Sequence, residues 1–384
     1  MDRPARGALL AYLILFAALY AAFGVQSPYL PRLLQDHGLG AEAIGTVLAA
    51  GTAIRLATGL AAGHIADRLD AVRLVFASCA AAAAVVAIFY LPARGFWPLL
   101  AVSLAQASAL APLAPLCDSL VLAAAGTRRY GFDYGWVRGA GSGAFILGTV
   151  LSGQMVGQYG LSAVIWLNAA LLAAAALYVP TVPRLPPPPA QAPLLTDPQD
   201  GIPALLRMPA FRRVVLVAAL ILGSHALHDG FAVIRWTAAG IAPGTAGLLW
   251  SESVAAEVIV FFVIGRPLLD RLGPAGAAML AAVAGIVRWT VSAETTWLPA
   301  VALIQPLHGI TFALLHLACM RRLAEAVPPR LSATALTLYG TVAIGAVSAL
   351  LTLISGWLYG AAGPAGFWMM AALCATALPF ARRL

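Results

Sequence analysis

Apolar residues in this chain of 384 residues recur in blocks of roughly 20, separated by short clusters of proline, glycine and charged residues. A helix of about 20 residues crosses the roughly 30 Å of hydrocarbon in a bilayer. The composition agrees: 61% of the residues are hydrophobic and only 10% are charged, whereas soluble domains carry about 25% charged residues. The pattern therefore predicts an all-α membrane protein and excludes a soluble enzyme.

The blocks predict twelve transmembrane helices in two six-helix pseudo-symmetric bundles. The longest polar stretch contains four consecutive prolines and separates the sixth block from the seventh. Because proline runs favour an extended chain, we expect an N-terminal bundle over 1–180, a cytoplasmic linker over 181–208 and a C-terminal bundle over 209–384. The predicted spans, with ends good to about 2–4 residues, are 8–33, 42–62, 74–91, 97–123, 135–157, 161–179, 211–235, 245–265, 274–293, 297–319, 331–355 and 364–380.

Arginine placement predicts the orientation. All 23 basic residues are arginines. Three of them, Arg55, Arg138 and Arg288, lie inside predicted spans, and the others occur singly or in pairs between blocks, which does not indicate a nucleic-acid partner. With the N-terminus in the cytoplasm, seventeen arginines are cytoplasmic and only Arg32, Arg94 and Arg235 face the other side. This positive-inside bias predicts a bacterial cytoplasmic (inner) membrane protein with both termini inside. The cytoplasmic set is Arg3, Arg6, Arg68, Arg73, Arg128, Arg129, Arg184, Arg207, Arg212, Arg213, Arg266, Arg271, Arg321, Arg322, Arg330, Arg382 and Arg383.

A loop motif repeats in the two halves. An Asp-Arg-Leu sequence follows span 2 at Asp67 and Arg68, with Gly63 four residues before the acid, and it follows span 8 at Asp270 and Arg271. The acid is expected to cap or pair with a neighbouring helix end and so hold one conformation. The alternative is a short solvated turn.

Charged residues inside the first-half spans are functional candidates, because a charge in hydrocarbon costs at least about 2.5–3.5 kcal/mol. Asp118 in span 4 and Arg138 in span 5 are equidistant from the turn between these spans, so an antiparallel hairpin predicts an ion pair. The pair either fixes the two helices together or releases Arg138 to a substrate carboxylate, which a guanidinium binds bidentately. Tyr20 belongs to an aromatic stripe on span 1 that either packs in the core or forms an apolar wall for a ring.

The second half carries further candidates. Glu257 lies midway along span 8, where the neutral form of a carboxyl is favoured and proton coupling is possible. Arg288 is in span 9, and Gln305, His308 and Phe312 share a face of span 10. His225, His228 and Asp229 share a face of span 7. We expect a common polar cavity, with packed core histidines as the alternative and no metal or other cofactor.

Several segments resemble the proton-coupled 3-phenylpropionate permease family within the major facilitator superfamily, over nearly the whole chain. They are Pro115–Asp118, Asp133–Arg138, Gly141–Phe145, Ala255–Phe261, Ile286–Trp289 and Leu307–Phe312 with His316. A more distant resemblance is to lactose permease, which has a proton-carrying glutamate where this chain has Thr311. The resemblance implies that Glu257 or His308 carries the proton.

The prediction is therefore a secondary active transporter, and not an enzyme, that works by alternating access with substrate near the bilayer midplane. The resemblance favours a proton symporter that imports a small aromatic carboxylate. The alternatives are a proton-coupled sugar or nucleoside symporter and a membrane sensor that does not transport. The predicted partners are the substrate, protons and the lipid bilayer, and the predicted state is a monomer. Arg138, Asp118, Tyr20, Arg288, Gln305 and Phe312 are the predicted substrate-binding residues; Glu257, His308, Arg288 and His225 are the predicted proton-coupling residues.

Overall fold

The structure is a computed structural model that describes residues 3–125, 132–183 and 198–384. Arg128, Arg129 and Arg184 lie outside the described residues, as does most of the predicted linker. Their cytoplasmic placement stays a prediction.

The three described ranges are helical and contain no β-strand. The α-helices, numbered in chain order, are α1 Arg3–Gln26, α2 Leu30–Asp36, α3 Ala41–Arg68, α4 Val72–Ile88, α5 Phe96–Leu110, α6 Leu113–Ala125, α7 Tyr134–Tyr159, α8 Ser162–Tyr178, α9 Pro198–Arg207, α10 Pro209–Gly223, α11 Ala226–Ala238, α12 Pro243–Ile259, α13 Gly265–Glu294, α14 Leu298–Ile304, α15 Leu315–Ala326, α16 Ser332–Leu338, α17 Val347–Ala362 and α18 Phe367–Ala381. Wider π-helical turns occur at Val260–Ile264, Gly309–Leu314 and Tyr339–Ala346.

Eight helical stretches of the described chain are long and apolar enough to cross a membrane. Two of them, Pro243–Glu294 and Pro329–Ala381, contain 52 and 53 residues. Each is about 80 Å long at 1.5 Å per residue, which suffices for two crossings. With the shorter apolar helix α4 and the glycine-rich α7, these stretches account for the twelve predicted spans. The all-α class with twelve membrane helices is confirmed.

Helix breaks fall where the spacing did not predict them. Span 1 was expected over 8–33, but α1 ends at Gln26 and α2 begins at Leu30, because Pro28 lies between them and cannot donate a backbone hydrogen bond. Span 7 breaks at Ser224 and His225, between α10 and α11. The C-terminal part of the expected linker forms helix α9.

The described chain divides into two compact units. Unit 1 comprises the described residues of Met1–Leu39, Ala53–Ala192 and Ala242–Ser251, and unit 2 those of Gly40–Thr52, Pro193–Ile241 and Glu252–Leu384. The units differ from the predicted bundles in two short segments, and the bundle boundaries stay a prediction.

Each unit has its own helix packing. In unit 1, α1 runs along α7, and the two helices approach closely because Gly24 lies against the backbone of Phe145 and Gly148 against that of Ala21. In unit 2, α13 packs along α18. These contacts hold the helices that carry the polar side chains described below.

The two Asp-Arg-Leu loops share one backbone feature. Three residues after the loop acid, Asp70 has φ +47° and Gly273 has φ +67°. This left-handed region favours glycine, and aspartate is one of the few other residues that adopt it. A positive φ at the matching position of both loops supports the internal repeat.

The loop acid has an ionic partner in the second copy. Arg321 Nη2 donates to Asp270 Oδ1 at 2.6 Å. This contact joins the acid to the second half of a neighbouring helix, α15, and the predicted pairing with a helix end stays a prediction. In the first copy, Asp67 and Arg68 are exposed, and the effect of either loop on conformation stays a prediction.

Candidate functional site

A first polar cluster lies in unit 1, where spans 4 and 5 meet. The Tyr134 hydroxyl donates to Asp118 Oδ1 at 2.9 Å, and Arg138 Nη1 donates to Ser142 Oγ at 3.2 Å. The guanidinium carbon of Arg138 lies 4.9 Å from the centre of the Tyr20 ring, which is within the range of a cation–π contact. A half-buried cation is thus held by one hydroxyl and one aromatic face.

The predicted ion pair between Asp118 and Arg138 is wrong. In the described part of the chain no carboxylate oxygen lies within 4.0 Å of an Arg138 nitrogen, although the charges of the two residues interact at longer range. Equal depth on two helices fixes the height of each side chain but not its direction. Tyr134, one turn before Arg138, reaches Asp118 instead, so most of the five N–H donors of Arg138 stay available.

Aromatic rings on span 1 flank Arg138. Phe16 stacks on Tyr20 with 5.4 Å between ring centres, and Phe23 meets the edge of Tyr20 at 5.6 Å. Gly141 makes room for this wall, because a Cβ there would lie 3.1 Å from Tyr20 Cδ2. Tyr12 and Phe16 are fully buried, whereas Tyr20 and Phe23 are half-buried. The stripe therefore packs in the core at one end and borders Arg138 at the other.

A second polar cluster in unit 2 is centred on Arg288, which is 1% exposed. Its Nη1 lies 3.0 Å from His308 Nδ1, and its Nη2 donates to Gln305 Oε1 at 3.5 Å. Gln305 Oε1 also accepts from Ser253 Oγ at 2.7 Å, and the guanidinium carbon lies 4.6 Å from the Trp289 ring centre. Spans 8, 9 and 10 each contribute one or more members of this network.

His308 connects Arg288 to Glu257, since its Nε2 lies 3.4 Å from Glu257 Oε2. A guanidinium only donates, so His308 Nδ1 accepts from Arg288. A neutral His308 then carries its hydrogen on Nε2 and points it at the Glu257 carboxylate. The structure brings together the three residues that the sequence grouped from their depth in the membrane.

A close helix approach at Gly309 places these groups in contact. A Cβ at Gly309 would lie 2.6 Å from the Ala256 carbonyl oxygen and 2.9 Å from Val260 Cγ2. Ala256 precedes Glu257, and Gly309 follows His308, so the glycine lets the two backbones approach beside the contact between His308 and Glu257. A π-helical turn follows each of these positions, and such turns are frequent at functional sites.

His225 joins the second cluster through a hydroxyl that the sequence did not single out as a partner. Its Nδ1 lies 3.0 Å from the Leu222 carbonyl oxygen and its Nε2 lies 2.9 Å from Thr311 Oγ1. Because a carbonyl only accepts, the ring hydrogen of neutral His225 is on Nδ1, and Nε2 accepts from Thr311. The His225 ring meets the His308 ring edge-on, with 5.2 Å between centres.

The other predicted residues divide between the cluster and its surroundings. Phe312 stacks on His308 at 5.4 Å, as their shared face predicted. His228 is buried and its ring lies 5.7 Å from that of Trp236. Asp229 lies beside it, with Oδ1 3.5 Å from His228 Nδ1 and 59% of its side chain exposed. Among the described residues no three His, Cys, Asp or Glu side chains are placed to hold a metal ion.

The family model described as "MFS_1 like family" matches residues 9–370. The chain belongs to this family of major facilitator superfamily transporters. Its relatives and structural neighbours are transporters and not enzymes. The multi-pass membrane fold of this transporter is therefore that of its family.

Similar proteins extend over nearly the whole transporter. The "Probable 3-phenylpropionic acid transporter" of Escherichia coli (strain K12) is 32% identical over 367 residues, which cover 94% of this chain and 93% of that protein. The "Uncharacterized transporter YwbF" of Bacillus subtilis (strain 168) is 20% identical, over 91% of this chain and 85% of that protein. The crystal structure of nucleoside transporter NupG has a TM-score of 0.83 at 18% identity and covers 97% of both chains, which shows the shared fold.

Sequence reasoning found the charged residues of this major facilitator protein and missed their hydroxyl partners. Those partners are Tyr134, Ser142, Ser253 and Thr311. Hydroxyl side chains are common inside membrane helices and cost little there, so spacing alone does not single them out. Thr311 had the one available signal, since it lies three residues after His308 on span 10.

Proposed function

We propose that this transporter is a proton-coupled symporter that imports a small aromatic carboxylate by alternating access. The observation that carries the proposal is the surroundings of Arg138. A cation without a carboxylate contact within 4.0 Å in the described chain lies against Tyr20. The Tyr20 ring in turn contacts Phe16 and Phe23. A guanidinium beside an aromatic wall has the chemistry to bind a carboxylate and its attached ring together. The similarity to a probable 3-phenylpropionic acid transporter supports the same substrate class.

In this proposal the second cluster carries the proton. Arg288 donates to His308 Nδ1, so a proton added to His308 would displace that bond and place two cations side by side. A proton added to Glu257 removes a negative charge from a site where charge is costly. Glu257 is therefore the proposed carrier. His308 lies between Arg288 and the Glu257 carboxyl. In this proposal, movement of Arg288 between the inward-open and outward-open states therefore changes the proton affinity of Glu257.

Uptake into proteoliposomes tests the proposal. The panel contains 3-phenylpropionate, benzoate, a disaccharide and a nucleoside, each measured with and without an inward pH gradient. We expect gradient-dependent uptake of the aromatic acids alone. Uptake of the sugar or the nucleoside instead would refute the substrate class. If uptake of the aromatic acids is the same with and without the pH gradient, measured at a clamped membrane potential, proton coupling is refuted.

We also propose that the protein lies in the bacterial inner membrane with both termini in the cytoplasm, supported by the arginine bias. Fusing a reporter that fluoresces only in the cytoplasm to either terminus tests this orientation. We expect signal from both fusions. A dark fusion that is expressed at the normal level contradicts the orientation of that terminus.

A further inference from the structure

Arg55 is a third arginine inside a membrane span, and neither cluster uses it. It lies at the midpoint of α3, which runs over 28 residues from Ala41 to Arg68. Among the described residues it has no hydrogen bond, ion pair or aromatic contact. An unpaired charge at this depth costs several kcal/mol on insertion scales and is retained where it has a function.

The face of α3 that carries Arg55 points into unit 1. Residues 51, 55, 59, 62 and 66 share one side of the helix by their spacing. Ala66 on this side is buried, and a Cβ at Gly59 would lie 3.8 Å from Ala111 Cβ of span 4. Ala53 and Ala57, two residues away and so on the opposite side, are exposed. Arg55 therefore faces the neighbouring helices and not the lipid.

The Arg55 side chain nevertheless reaches open space. It is exposed, and it lies on the side of α3 that Gly59 turns towards span 4. An accessible side chain on this side of the helix borders open space between helices. A membrane arginine in such a place meets water, or whatever solute the water carries.

No acid neutralises this charge from the adjoining span. Gly59 and Ala111 lie at the same level. Arg55 is one turn to one side of that level, and Asp118 is seven residues to the other side, so their backbones are about 16 Å apart along the helix axes. Asp118 is also occupied by Tyr134. No carboxylate oxygen of the described chain lies within 4.0 Å of Arg55, so its guanidinium is available to the carboxylate of a ligand.

We propose that Arg55 binds the carboxylate of the transported acid at the middle of the membrane, as a second anion site distinct from Arg138. This inference rests on the proposed function. Arg138 is the fifth residue of α7 and so lies near one membrane surface, whereas Arg55 lies half a helix deep. The carboxylate of the transported acid can therefore pair first with one arginine and then with the other as it moves along unit 1. A neutral analogue of the acid forms no ion pair with either arginine.

Chemical replacement of the charge tests the inference. Arg55→Cys and the opposite-face control Ala57→Cys are made on a background in which Cys79, Cys117, Cys319 and Cys374 are serine or alanine. Each variant is treated with a water-soluble cationic methanethiosulfonate, which adds an ammonium, or with a neutral one of similar size. Labelling rates and uptake of 3-phenylpropionate are measured, together with binding of 3-phenylpropanamide, its uncharged analogue.

We expect Arg55→Cys to label at least tenfold faster than Ala57→Cys and to lose at least tenfold in uptake. The cationic reagent should restore part of the uptake and the neutral reagent none, while amide binding stays unchanged throughout. Equal labelling rates, unchanged uptake or equal rescue by both reagents would each overturn the anion site. If the wild type takes up no aromatic acid, the proposed function fails. The carboxylate assignment then fails with it, and the labelling rates separately decide whether Arg55 faces water.

Discussion

Arg138 in unit 1 and Arg288 in unit 2 are both membrane arginines, yet their surroundings are opposite. Arg138 is half-buried and has one hydroxyl and one ring as partners. Arg288 is 1% exposed and is linked through His308 and Gln305 to residues on two further spans. A cation with free donors is suited to exchange partners with a solute, whereas a fully embedded cation is suited to set the electrostatics of its neighbours. In the proposed mechanism, unit 1 therefore recognises the substrate and unit 2 binds the proton.

Removing the accessible cation gives the largest expected effect. Arg138→Ala should lower uptake of 3-phenylpropionate by about 100-fold or more, because charge-assisted pairing with a carboxylate is worth several kcal/mol when desolvated. Asp118 keeps its bond to Tyr134, so the variant should fold. The matched control is Arg212→Ala, at an exposed position, which should transport normally. Near-normal uptake by Arg138→Ala would show that Arg138 of unit 1 does not take part in substrate recognition.

Neutralising the acid of the second cluster should affect coupling and leave recognition intact. Glu257→Gln imitates the protonated carboxyl, so it should abolish accumulation driven by a pH gradient while retaining exchange of labelled for unlabelled substrate. Glu252→Gln, five residues earlier on the same helix, is the control and should accumulate substrate. If Glu257→Gln accumulates as well as the wild type, the proton is carried by His308 or coupling is absent.

Separating the coupling pair without removing it should have an intermediate effect. A methyl group at position 309 would lie 2.6 Å from the Ala256 carbonyl oxygen, so Gly309→Ala should push His308 away from Glu257. We expect a loss of about tenfold in gradient-driven uptake, since a misplacement near 1 Å commonly costs more than that. Gly340→Ala, where a Cβ meets nothing within 4 Å, is the control. Equal behaviour of the two variants would show that the close approach is irrelevant to coupling.

The smallest expected effect is on stability and concerns a second arginine–histidine contact, which resembles the buried contact between Arg288 and His308. Arg94 Nη1 lies 3.0 Å from His37 Nδ1, the same distance as between Arg288 and His308, but in a loop outside the predicted spans. Burial, aided by the Arg94 charge, lowers the pKa of His37 below its ordinary value of 6.5. The unfolded chain then binds the proton more readily, so this contribution to stability is present above about pH 6.5 and is lost as the pH falls below it.

Thermal unfolding in detergent between pH 8 and pH 5 measures this contribution. The wild type should lose stability below about pH 6.5 relative to His37→Asn, which has no ring to protonate. Uptake by His37→Asn should keep the wild-type pH dependence. A changed uptake profile would mean that the loop contact, and not only the buried one, takes part in coupling.

The sequence by itself determined the architecture. Blocks of apolar residues must become helices in a bilayer, because every backbone N–H and C=O there needs an internal partner. The same cost argument selected Asp118, Arg138, Glu257 and Arg288, since a charge in hydrocarbon stands out in composition alone. Helical spacing correctly grouped Gln305, His308 and Phe312 on one face. These are local or compositional properties, so one sequence suffices to read them.

Only the tertiary structure decided which of these groups touch. Depth along a helix placed Asp118 level with Arg138. The directions of the side chains, however, let Asp118 accept a hydrogen bond from Tyr134. At the break between α10 and α11, His225 Nε2 contacts the hydroxyl of Thr311, 86 positions away in the sequence. The approach at Gly309 depended on a carbonyl oxygen of another helix. Such contacts follow from how helices rotate and pack against one another, and that packing is settled by many distant residues at once and not by the spacing within any one span.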